Sequence, residues 1–98
     1  MSSFIEWADK ARRDRELRYK DIYGEIKPKI DKRDFRIEAI EELIDALNYV
    51  DWAYEKGELS LGEWKQIEVH VKLALSYIPN GKRLYTNSLK SIKPKRTR

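Results

Sequence analysis

Residues 38–49, EAIEELIDALNY, place apolar and acidic side chains at the spacing of an α-helix and decide how the chain folds. Ile40, Ile44 and Leu47 recur every three or four residues, so they form one apolar face on a helix of 3.6 residues per turn. Carboxylates recur at the same spacing, and we call them the acidic stripe. The acidic stripe consists of Glu38, Glu41, Glu42 and Asp45. It is either a solvated surface or half of a metal site.

Helix-end signals on both sides of this stretch predict where the neighbouring helices begin and end. Ser3 with Glu6, and Ser60 with Glu63, have the spacing of capping boxes, in which each side chain satisfies the other residue's free backbone N–H. Pro28 disfavours helical geometry just before it and ends the first helix. We therefore expect an all-α, three-helix antiparallel bundle with helices near residues 4–26, 34–56 and 61–78.

Positive charge is concentrated at the C-terminus. Residues 1–81 hold 14 Lys and Arg against 17 Asp and Glu, whereas residues 82–98 hold seven basic residues and no acidic one. This contrast predicts a helical domain over residues 1–81 and a basic C-terminal extension over residues 82–98. The extension is expected to be a short helix near residues 84–92 or to be disordered.

Composition limits the class of protein. A chain of 98 residues with 39% charged residues makes one domain with a small core, so we expect it to form a homodimer and a larger helical bundle. The absence of cysteine excludes disulfides and thiolate metal sites. The N-terminus has no apolar signal-peptide core and no uncharged run is long enough to cross a bilayer. We expect a cytoplasmic protein that does not enter the membrane.

The acidic stripe favours a metal site because Mg²⁺ prefers carboxylate oxygens together with water and substrate phosphates. Eight acidic residues and one basic residue, Lys56, lie within residues 38–63. The stripe therefore has almost no basic partner at helical spacing within its own helix. The alternative is a plain solvated face, since glutamate is a good helix former.

Residues 41–45, EELID, followed by ALNY, resemble the second half of the metal-binding signature of MazG-like all-α nucleotide pyrophosphohydrolases. Residues 23–24 and 33–35, which lead into Glu38, are also similar to phage-encoded relatives, and the resemblance covers about residues 18–57. It implies an oligomeric helical bundle that hydrolyses a nucleoside triphosphate to the monophosphate and pyrophosphate. In that family carboxylates from two helices hold Mg²⁺.

The resemblance also implies roles for individual residues. Glu42 and Asp45 match the second acidic pair of the family, and Glu38 and Glu41 lie close enough to share the metal. The expected catalytic residues are Glu38, Glu42 and Asp45. The first acidic pair has no counterpart, because only Asp21 and Glu25 lie in the corresponding region. Basic residues on the first helix are expected to offset the phosphate charge in such a reaction. They are Arg15, Arg18 and Lys20.

The basic extension supports a competing hypothesis, a small non-catalytic helical nucleic-acid-binding or regulatory protein of viral or plasmid type. Its positive charges can bind phosphate backbones without sequence specificity. They belong to Lys82, Arg83, Lys90, Lys93, Lys95, Arg96 and Arg98. The alternative is a solvated terminus. Among the tryptophans, Trp7 and Trp64 are expected in a core or interface, and Trp52, beside the acidic stripe, is the best candidate for a partner contact or for stacking on a base.

Overall fold

The computed structural model describes residues 3–90, and this range contains four α-helices and no strand, which confirms the predicted all-α class. In this range no helix combines the length and the apolar composition needed to cross a lipid bilayer. The chain divides into two compact units, one ending at Lys32 and the other beginning at Arg33. The helices are α1 (Phe4–Tyr23), α2 (Phe35–Lys56), α3 (Leu61–Ser76) and α4 (Gly81–Lys90).

Helix α1 belongs to the first unit and begins at the predicted capping box. The Ser3 backbone N–H donates to the Glu6 carboxylate at 2.8 Å, and the Glu6 N–H donates to the Ser3 hydroxyl at 3.0 Å. The helix ends at Tyr23, three residues before the predicted end, because Gly24 adopts a φ of 89° that side-chain-bearing residues rarely adopt. Gly24, rather than Pro28, therefore ends α1.

Helix α2 begins one residue after its N-cap, Asp34, whose carboxylate accepts from the Arg36 N–H at 2.9 Å. The Arg36 guanidinium also donates to this carboxylate, at 2.7 Å, and this hydrogen bond holds the pKa of Asp34 below its ordinary value of 3.8. A lowered folded-state pKa means that the ionised carboxylate stabilises the helix at higher pH. The contribution is lost as pH falls from about 3.8 through the folded pKa.

Helices α2 and α3 form an antiparallel hairpin within the second unit. Gly57, with a φ of 87°, closes α2, and the Ser60 capping box opens α3 as predicted. Trp64, in the first turn of α3, stacks on Tyr54 with the ring centroids 4.3 Å apart. Its indole N–H donates to the Asp51 carboxylate at 2.7 Å. These contacts place the start of α3 beside the end of α2.

The opposite end of the hairpin carries the small core. Ile40, near the start of α2, is 3% exposed and is the only buried apolar side chain among residues 3–90. A Cβ placed on Gly81 would lie 3.4 Å from the Ile40 Cδ1 atom and 3.4 Å from the Ile78 Cβ atom. Gly81 starts α4, and α4 packs against α2.

The remaining predicted apolar stripes face inward but are only partly covered. Within α2 these side chains are Ile37, Ile44, Leu47 and Val50, all half-buried. Helix α3 ends at Ser76, two residues before its predicted end, and its apolar residue Ile67 is exposed. Because so little apolar surface is fully buried, each inward-facing side chain contributes a large fraction of the stability.

Candidate nucleic-acid interface and acidic face

The acidic stripe of α2 lies largely opposite the core. At about 100° per residue, Glu38, Glu42 and Asp45 lie on the side of the helix facing away from Ile40, and we call these three residues the acidic face. Glu42 and Asp45 are exposed, and Glu38 is half-buried. Glu41 lies at the edge of this face and is half-buried. Within residues 3–90 none of these four carboxylates forms an ion pair.

Residues 3–90 do not contain an assembled metal site, because no three Asp, Glu or His side chains in this range form a group that could hold an ion. Side chains on one helix face stand about 5–6 Å apart at their Cβ atoms, so carboxylates from one helix need further ligands to enclose Mg²⁺. Asp21 lies on α1 and Glu25 follows its end, both in the unit that ends at Lys32. Metal binding at the acidic face stays a prediction.

An aromatic pair extends the acidic face toward the end of α2. Tyr49 and Trp52 are both exposed, and their rings meet edge to face with centroids 5.5 Å apart. Trp52 therefore presents an aromatic surface next to exposed carboxylates, as its position in the sequence predicted. Trp7 also lies on the surface, at 61% exposure, rather than in a core.

Part of the predicted phosphate-binding set lines a groove on α1. Arg15 and Lys20 border a surface groove of about 580 Å³, together with Arg12, which the sequence did not single out. Arg18 does not line it. The three lining cations form no ion pair with any residue in the range 3–90, although Glu16 also borders the groove. The i, i+3 spacing of Arg12 and Arg15 is the sequence signal that identifies this groove.

Helix α4 carries a second basic surface. Lys82, Arg83 and Lys90 lie within about 100° of one another around the helix axis, and we call them the basic face. They line a groove of about 680 Å³ beside the end of α3. The opposite side of α4, which includes Leu84 and Tyr85, is half-buried. The structure therefore brings together three of the predicted nucleic-acid-binding residues. The other four, Lys93, Lys95, Arg96 and Arg98, lie outside the described residues.

The surroundings of the basic face suit phosphate. In the described part of the chain Lys82, Arg83 and Lys90 have no carboxylate partner. The side-chain amides of Asn80 and Asn87 line the same groove and can donate further hydrogen bonds. Lysine, arginine and asparagine side chains are common donors to phosphate oxygens in protein–nucleic acid complexes.

No family model, curated protein or solved structure matches this chain. The resemblance of residues 41–45 to the MazG-like signature thus stays a prediction, and a functional proposal depends on the site geometry.

Proposed function

We propose that the protein is a small helical nucleic-acid-binding protein that contacts phosphates through the basic face of α4 and the basic residues that follow α4 in the sequence. The observation that carries this proposal is the placement of Lys82, Arg83 and Lys90 on one exposed face, unpaired among residues 3–90. Cations without protein partners are available to neutralise phosphates, and the counterions released from the nucleic acid drive binding.

Contacts within the second unit support this role because they fix the orientation of α4. Gly81 lies against Ile40 and Ile78, so the basic face stands on a helix held by the core. Lysine and arginine charges aimed at phosphates carry no sequence information by themselves. We therefore expect affinity without strong sequence preference.

Fluorescence anisotropy with labelled single-stranded and duplex DNA of about 20 nucleotides, each in two unrelated sequences, tests the proposal. We expect similar affinity for both sequences and a steep loss of affinity between about 50 mM and about 200 mM salt. The absence of binding at the lower salt concentration, or binding insensitive to salt, would contradict it. Deleting the chain after Gly81 is a poor test, since it would remove a helix that packs against α2.

We also propose that the protein is a homodimer in which helices of two chains complete a larger bundle. The support is the small core, with Ile40 as the one buried apolar side chain in the described range. Association with a second copy would remove more apolar surface from water and would stabilise the fold by mass action.

A second candidate function is a MazG-like nucleotide-binding or hydrolysing domain. The observation that favours it is the acidic face, whose carboxylates have no cation among residues 3–90. Mg²⁺ bound there would supply Lewis-acid activation of water toward a phosphorus centre. Glu38, Glu42 and Asp45 would hold the ion, with the missing ligands coming from a second chain or from substrate phosphates.

Thermal unfolding in the presence of Mg²⁺ or Mn²⁺ tests this second candidate. If the acidic face binds the ion, a concentration about 100 times the dissociation constant should stabilise the wild type by about 2.7 kcal/mol. Asp45→Ala should abolish the effect. Glu55→Ala, which removes an exposed carboxylate from another part of α2, should preserve it. Either an unresponsive wild type or an equal response in Asp45→Ala would refute metal binding at this face.

A further inference from the structure

Helix α1 carries an apolar stripe whose larger side chains are exposed. Its members share one side of the helix, and no residue of α1 is buried. We call the following residues the α1 stripe: Phe4, Trp7, Ala8, Ala11, Tyr19 and Ile22. Phe4, Trp7 and Ile22 are each more than half exposed. Most of the stability of a helix in a protein comes from the packing of its apolar face, so we expect the α1 stripe to pack against a partner.

The charges of α1 indicate what kind of partner fits. The helix carries six basic and five acidic residues, so its net charge is close to zero. A membrane-surface helix is usually strongly basic on its polar face, and a helix that binds an acidic partner also needs excess positive charge. A nearly neutral helix with a mixed-charge surface instead suits another helix of the same kind. Because the core of the chain is small, association with a second copy would bury further apolar surface.

We propose that the α1 stripe pairs antiparallel with the α1 stripe of a second copy of this chain. This inference rests on the homodimer proposed above and is independent of nucleic-acid binding. It assigns the dimer contact to α1 and leaves the basic face of α4 outside the contact.

The order of residues along the stripe selects the antiparallel arrangement. Arg15 and Arg18 interrupt the stripe on the same side of the helix. In a parallel pair each of these two arginines would face the same arginine of the second chain, so like charges would lie together. In an antiparallel pair centred near residue 13, Arg15 lies opposite Ala11 of the partner subunit and Arg18 lies opposite the partner's Ala8. The aliphatic part of each arginine can then cover a small alanine.

The ends of the stripe match in the same arrangement. Phe4 lies opposite Ile22 of the partner subunit, and Trp7 lies opposite the partner's Tyr19. By symmetry each of these contacts occurs twice, as in an isologous dimer. The larger apolar side chains therefore meet at both ends, and small residues meet long ones at the centre.

Substitutions at two positions of nearly equal exposure test whether the α1 stripe forms the dimer contact. Ile22 is 63% exposed on the stripe, and Leu17 is 62% exposed on the opposite side of the helix. Sedimentation should show a dimer for the wild type and for Leu17→Glu, and a dimer dissociation constant raised at least about tenfold in Ile22→Glu. A wild-type monomer would overturn the homodimer itself. Equal dimerisation of the two variants would overturn the α1 surface.

Disulfide crosslinking tests whether the two α1 helices run antiparallel, and it introduces no charge into the contact. The chain contains no cysteine, so each introduced thiol is unique. Mixing Phe4→Cys with Ile22→Cys chains under oxidising conditions should give a mixed disulfide, whereas Phe4→Cys alone should give none, because the two ends are about 27 Å apart along the helix. Efficient self-crosslinking of Phe4→Cys would indicate a parallel pair and refute the proposal. No nucleic acid is present in either experiment, so a failure here is distinct from a failure of the proposed function.

Discussion

Ile40→Ala should lower the free energy of unfolding by about 2–5 kcal/mol, the range for truncating a buried isoleucine. Ile40 is the one buried apolar side chain in residues 3–90, and it contacts the segment where α3 ends and α4 begins. Its truncation would leave a cavity between α2 and α4. Domains of this size have only about 5–15 kcal/mol of stability, so the loss should be large. Urea denaturation followed by far-UV circular dichroism measures it.

Ile30→Ala is the matched control, because it removes the same atoms from a side chain that is 73% exposed. Truncation at an exposed position should change the stability by less than about 0.5 kcal/mol. Equal urea midpoints for the two variants would show that Ile40 is not the centre of the core. A changed denaturant slope would instead report a change in the surface exposed on unfolding.

The starts of three helices could be predicted from the sequence because local chemistry determines them. The serine–glutamate pairs at Ser3 and Ser60 form the expected reciprocal hydrogen bonds, and Asp34 caps α2. The predicted end of α1 was wrong, because a positive φ at Gly24 ends the helix before Pro28 can. The start of α4 at Gly81 depends on packing against Ile40, which is a contact between distant residues that local patterns do not encode.

The candidate sites were predictable to different extents. Charge counting found the basic residues 82, 83 and 90, but their common face exists only because α4 is helical there. Helical spacing placed the carboxylates of the acidic face on one side of α2, and whether they bind a metal stays a prediction. Whether carboxylates from different helices converge depends on tertiary structure, and no such group forms among residues 3–90. Arg12 was not among the predicted phosphate-binding residues, although it borders the same groove as Arg15 and Lys20.

Neutralising the basic face should weaken DNA binding while leaving the fold intact. In the triple variant Lys82→Gln, Arg83→Gln and Lys90→Gln, we expect affinity at low salt to fall at least roughly tenfold, a change of about 1.4 kcal/mol for three contacts together. The three side chains are exposed and unpaired among residues 3–90, so their replacement should have little effect on stability. Fluorescence anisotropy and thermal unfolding of the same samples measure both effects.

A control triple variant separates the site from overall charge. It replaces Lys27, Lys29 and Lys32 with glutamine, which removes the same charge from exposed positions outside α4. If net charge alone determined binding, the two triple variants would lose affinity equally. A larger loss in the α4 variant assigns binding to the basic face.

The salt dependence of duplex-DNA affinity in these three proteins is the most direct test of the proposed function. Each phosphate contact contributes about 0.9 to the slope of log affinity against log salt concentration. We expect the magnitude of the slope to fall by about 2.7 in the α4 variant and to stay close to the wild-type value in the control variant. Equal slopes in the wild type and the α4 variant would contradict the assignment of phosphate contacts to Lys82, Arg83 and Lys90.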